Sequence, residues 1–110
     1  MIQETIAKIE ARIAGAEPLT EAQRQELLDL LKALRKEIAP LTQTHHEQAQ
    51  SIAGFAQVSA HEATRARPDP RLVKLSLEGL AGSVRDFEHS HPELVRVVNA
   101  ISQTLANLGI

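Results

Sequence analysis

Five prolines stand between runs of apolar residues spaced alternately four and three apart, and none falls inside such a run. Proline lacks the N–H that a helix interior uses and is tolerated in a first turn, so Pro18, Pro40, Pro68, Pro70 and Pro92 read as boundaries. They divide the chain into five helical segments. The first carries Ile2, Ile6, Ile9 and Ile13 and ends near Gly15. The second starts at Thr20, with Gln23 placed to complete a capping box, and carries Leu27, Leu31, Leu34 and Ile38. The third is predicted to start near Thr44, with Glu47 at the reciprocal position, and to run to about Ala66. The fourth follows Asp69-Pro70 and carries Val73, Leu77, Leu80, Val84 and Phe87. The fifth follows Ser90-His91-Pro92-Glu93, carries Leu94, Val98, Ile101, Leu105 and Leu108, and closes at Gly109.

Stripes of this kind give each helix one narrow apolar seam, and no stretch of useful length alternates with period two. The expected fold is therefore all-α and bundle-like: about five amphipathic helices in one domain over residues 1–110. Short connections make residues 1–39 and residues 70–110 two antiparallel hairpins, joined by a longer alanine-rich helix over residues 42–67.

That middle segment carries Ala49, Ala53, Ala56, Ala60 and Ala63 where its neighbours carry leucine. Small side chains bury little area and let a facing backbone come close. The fourth segment has a small face of its own at Ser76, Gly79 and Ser83, with Gly82 beside it. Glycine inside a helix costs up to about 1 kcal/mol against alanine, so these glycines call for a reason, and close helix packing supplies one. The two small faces are expected to meet, within one chain or across a dimer axis. Ala49, Ala53, Ala56, Ala60, Ala63, Gly79 and Ser83 are the candidate oligomer interface.

Composition removes several functions. With no cysteine there are no disulfides, thiolate nucleophiles or cysteine zinc sites. The net charge is −2 and the charges are spread evenly. No basic face offers itself to phosphates, and without Trp or Tyr there is no stacking platform, so no nucleic-acid partner is expected. No apolar stretch approaches the roughly 18 residues of a spanning helix, and no secretory signal is read at the N-terminus. The expected setting is cytoplasmic, with no membrane partner.

The stretch "SAHEATR", residues 59–65, begins like the zinc-protease motif His-Glu-x-x-His but has Arg65 where the second histidine belongs. A guanidinium does not ligate and repels a cation. The plainer reading pairs Glu62 with Arg65 at i,i+3 and leaves His61 on the helix surface. His45 and His46 are adjacent, so on a helix they point about 100° apart and do not chelate one ion easily. A metal site built from His45, His46, His61 and Glu62 would need two chains, because one straight helix separates residues 46 and 61 by roughly 20 Å. In "EHSHPE" the local signals suffice without metal: Ser90 as cap, Pro92 opening the helix, Glu93 completing the box. No serine lies in a nucleophile elbow, and no phosphate-binding loop or Glu-x-x-His pair is present. No catalytic residues, cofactor or resident metal are assigned, and the protein is not read as an enzyme.

The run "LSLEGLAGSVRDFEHSHPELVRVVNAISQTLANLGI" resembles a family of small bacterial proteins catalogued as a domain of unknown function. The shared pattern is a helix ending in Phe-Glu, then His-Pro-x-Leu, then a last helix finishing in Gly-Ile. Here it falls on Phe87, Glu88, His91, Pro92, Leu94, Leu105, Gly109 and Ile110. The resemblance covers residues 75–110, the hairpin over 1–39 is similar in kind, and "SIAGFAQVSAHEATR" resembles a longer subgroup. It implies a bacterial, soluble, helical protein with no catalytic residues to carry over, and an Ile110 that docks on the core. Three functions follow as expectations. The first is a non-enzymatic, self-associating protein-interaction module, a dimer or higher homo-oligomer. The second is a metal- or small-ligand-binding protein with an inter-subunit His/Glu site. The third is a small regulator of an unidentified partner protein.

Overall fold

The computed structural model describes residues 1–109, and the side chains of residues 1–108. Six α-helices follow one another: α1 (Ile2–Gly15), α2 (Glu21–Ile38), α3 (Leu41–Thr44), α4 (His46–Ala63), α5 (Pro70–Ser83) and α6 (Pro92–Gly109). A 3₁₀ turn, Arg85–Phe87, lies between α5 and α6, and no strand occurs among the described residues. The all-α expectation holds. Ile110, whose docking the family resemblance implies, lies outside the described residues.

Helix starts follow the local chemistry at two of the expected caps. Thr20 Oγ1 accepts from the Gln23 N–H at 3.1 Å while Gln23 Oε1 accepts from the Thr20 N–H at 2.9 Å, a complete capping box. Asp69 caps α5 by accepting from the Arg71 N–H, with Pro70 in the first turn. At Thr44 the outcome differs. Its hydroxyl donates to the Pro40 carbonyl and bonds the His45 ring, so it does not cap the alanine-rich helix. The chain forms the short α3, bends at His45 (φ −139°, ψ 58°), and starts α4 one residue later than Thr44 would have it. Likewise Ser90 bonds the His91 ring and Glu93 bonds Arg96, so neither completes a box.

The neighbours run in a circuit: α1 against α2, α2 against α6, α6 against α5, α5 against α4, and α4 against α1. Both expected hairpins are present, and α4 also touches α6. A helix with three long neighbours must let each approach, and the alanines permit it, since interaxial distance is set by side-chain size. Ala49, Ala53, Ala56, Ala60 and Ala63 are all buried. Ile52 is fully buried among them, and Ile6, Leu34, Ile38 and Val98 fill the core around them. Truncating Leu34 to alanine would cost about 2–5 kcal/mol.

Three arginines lock the circuit. The Arg24 guanidinium donates to the carbonyls of Ile13, Ala14 and Ala16 at 2.7–3.1 Å and to Leu19 at 3.2 Å. It thereby satisfies the carbonyls that the end of α1 leaves open. Arg35 joins α2 to Gln3 and Glu10 of α1. Arg12 reaches from α1 to Thr64 Oγ1 (2.7 Å) and the His61 carbonyl (3.3 Å), placing a cation at the C-terminus of α4.

Candidate interaction surface

The packing of α4 on α5 leaves a face of both helices in water. Four large apolar side chains lie on it: Phe55 is 41% exposed, Val58 47%, Leu72 40% and Leu75 65%. On α4 the stripe runs Glu47, Ser51, Phe55, Val58, Glu62, spaced four, four, three, four, which is one helical face. On α5 it runs Arg71, Leu75, Glu78, with Leu72 leaning toward α4. Phe55, Val58, Glu62, Leu72, Leu75 and Ser76 line a shallow, almost wholly apolar groove of about 210 Å³ between the helices. Scattered apolar residues on a surface need no explanation, but four in contiguous positions around one groove do.

Gly79 makes the groove's inner wall possible. A Cβ built there would overlap the Cε1 and Cδ1 atoms of Phe55, so only glycine admits the ring at this height. The expectation of close packing at Gly79 is met. At Gly82 a Cβ meets nothing within 4 Å, and nothing in the structure explains that glycine.

The alanine ladder has a different place from the one expected for an oligomer interface. Ala49, Ala53, Ala56, Ala60 and Ala63 are each 0–3% exposed within a single chain, so a second copy has no access to them. Gly79 is covered by Phe55, and Ser83 returns its hydroxyl to the Leu80 carbonyl at 2.6 Å. The small faces meet inside the chain, and the large apolar side chains left exposed are the ones beside them. Sequence reasoning passed over Val58, Leu72 and Leu75. Their signal was present, because each is apolar yet lies off its helix's buried stripe.

The histidines do not converge on one point. His46 opens α4, with Nδ1 3.2 Å from the Thr42 carbonyl, and His61 sits near its other end. His61 is half-exposed, with Nε2 3.8 Å from Glu62 Oε2, while Arg65 donates to the other Glu62 oxygen at 2.8 Å. The Arg65 substitution in the zinc-like motif thus serves an ion pair. His45 turns instead toward Phe87 (ring centroids 5.5 Å) and His91 (6.3 Å), an edge-on aromatic cluster at the opposite end of the bundle from His61. Among the described residues no three His, Asp or Glu side chains are grouped to hold a metal ion.

Charge around the apolar face is polarised. Where α4 ends and α5 begins lie Arg65, Arg67, Arg71 and Lys74, with Glu62 paired to Arg65 and Asp69 to Arg71. The hydrogen bonds from the Arg71 side chain and N–H hold the Asp69 carboxyl below its ordinary value. Toward the other end, residues 46–61 of α4 and 75–83 of α5 contain no Lys or Arg and carry Glu47 and Glu78, with Arg85 and Asp86 following in the 3₁₀ turn.

No curated protein and no solved structure is detectably similar to the chain. A family model described as a domain of unknown function, DUF4404, matches residues 31–110, which takes in α3 to α6 and the second half of α2. The whole of the apolar α4–α5 face falls within that match, and the chain belongs to the DUF4404 family.

Proposed function

We propose that this protein is a non-enzymatic helical module that works by associating with itself, in a bacterial cytoplasm. The observation that carries the reading is the contiguous face of Phe55, Val58, Leu72 and Leu75, large apolar side chains that a monomer gains nothing by exposing. The chemistry of the chain supports it from the other side. Three of the buried polar side chains, Thr64, Ser76 and Thr104, donate their hydroxyls to carbonyls three or four residues earlier in the chain. No helix among the described residues is long and apolar enough to cross a membrane.

Light scattering across the micromolar range tests the reading. A mass above that of one chain at high micromolar concentration, falling on dilution, is the expected result. A monomer throughout that range would overturn it.

A further inference from the structure

We infer that the α4–α5 face docks a second copy of this chain about a two-fold axis that crosses both helices, laying α4 on α4 and α5 on α5 in antiparallel register. The inference rests on the self-association reading and adds the surface and the geometry.

The area favours a copy of the chain as occupant. Phe55, Val58, Leu72 and Leu75 together leave on the order of 300 Å² of apolar surface in water, comparable to the larger patches on monomers. Two such patches face to face, with their polar rims, approach the roughly 1,200 Å² at which stable dimers begin. An isologous dimer supplies the matching patch automatically, since each copy brings the same one.

Charge selects the axis. Two face-to-face arrangements are open to a pair of antiparallel helices. An axis parallel to the helices lays α4 over the other copy's α5 and brings like ends together, so that Arg65 and Arg67 of one copy lie over Arg71 of the other. An axis across the helices reverses one copy, so the basic end of each lies over the end that carries Glu47 and Glu78. Like-charge juxtaposition at an interface costs affinity and opposite charge steers the encounter, so the crossed axis is the favoured one. It passes near Leu75, the most exposed of the four apolar side chains at 65%. From there Arg71, four residues back, lies opposite the partner's Glu78, three residues on.

The chain has no cysteine, so one substitution introduces one thiol. Leu75→Cys, mildly oxidised at a concentration where the wild type is dimeric, should give a disulfide-linked dimer as the main product, because the axis brings the two positions within bonding reach. Lys32→Cys, exposed on α2, should stay at background. Arg71→Glu and Glu78→Arg should each weaken the dimer about tenfold, and the double reversal should restore it. All these positions are exposed, and circular dichroism verifies the fold. A wild-type dimer whose Leu75→Cys form does not cross-link, or whose single reversals change nothing, overturns this surface while self-association stands. A dimer that tightens on single reversal has the other axis, and overturns the geometry. A monomeric wild type removes both readings.

Discussion

Phe55 of α4 lies across Gly79 of α5 with no room for a Cβ between them. Alanine is the better helix former by up to about 1 kcal/mol, so the two effects oppose each other at this position. Gly79→Ala should bring no gain, or a loss, while Phe55 is present, and should stabilise by up to about 1 kcal/mol once Phe55→Ala has cleared the space. Gly82→Ala, with open space around it, should stabilise in either background. Urea unfolding at one low protein concentration reads all the variants, and simple additivity of the Phe55 and Gly79 changes would contradict the contact.

Arg24 holds four carbonyls at the turn from α1 to α2 with one guanidinium. Removing it leaves partly buried carbonyls without donors, at a cost of about 1–3 kcal/mol for Arg24→Ala. Lysine carries the charge without the planar fork, so Arg24→Lys should recover only part of the loss. Thermal unfolding monitored at 222 nm measures both, and full recovery by lysine would show that charge alone matters.

Ser59 is fully buried on α4, and its hydroxyl has no hydrogen-bond partner in the structure. Removing a buried group that makes no bond relieves a desolvation cost, so Ser59→Ala should be neutral or stabilising by up to about 1 kcal/mol. A clear destabilisation in denaturant unfolding would mean that the hydroxyl is satisfied after all.

Asp69 is held below its ordinary value of 3.8, first by the Arg71 side-chain hydrogen bond and then by the Arg71 N–H. Glu93 is held below 4.5 by its hydrogen bond from Arg96. A lowered folded-state value means that protonation favours the unfolded chain. Both contributions are present in full above the ordinary values and disappear as pH falls through the lowered ones. Stability should therefore be insensitive to these two groups above about pH 5 and decline below about pH 4. A side-chain NMR titration of Asp69 should give a midpoint below 3.8 that rises in Arg71→Ala, and an unchanged midpoint would refute the assignment to Arg71.

The helices were legible because proline and the four-three stripes are local signals. Thr20 with Gln23, and Asp69 with Pro70, mark starts that the structure keeps. Thr44 has the same pattern but spends its hydroxyl on Pro40 and His45, and its neighbour's ring is drawn to Phe87 and His91, residues more than forty positions away. A tertiary contact of that kind leaves no mark in the local sequence. The alanine ladder showed that close packing was needed, but not against what, because small residues suit any close neighbour. Its burial by α1, α5 and α6 inside one chain moved the exposed surface onto Val58, Leu72 and Leu75, which register only once the buried stripe beside them is known.

Sedimentation velocity of the wild type beside Leu75→Glu tests the central claim most directly. Leu75 is exposed, so the substitution leaves the monomer's core intact and places a charge at the middle of the proposed contact. The wild type should sediment as a dimer at high micromolar concentration and Leu75→Glu as a monomer of unchanged helicity. A variant that sediments with the wild type, whether both are dimers or both monomers, would contradict the assignment of this face to a second copy.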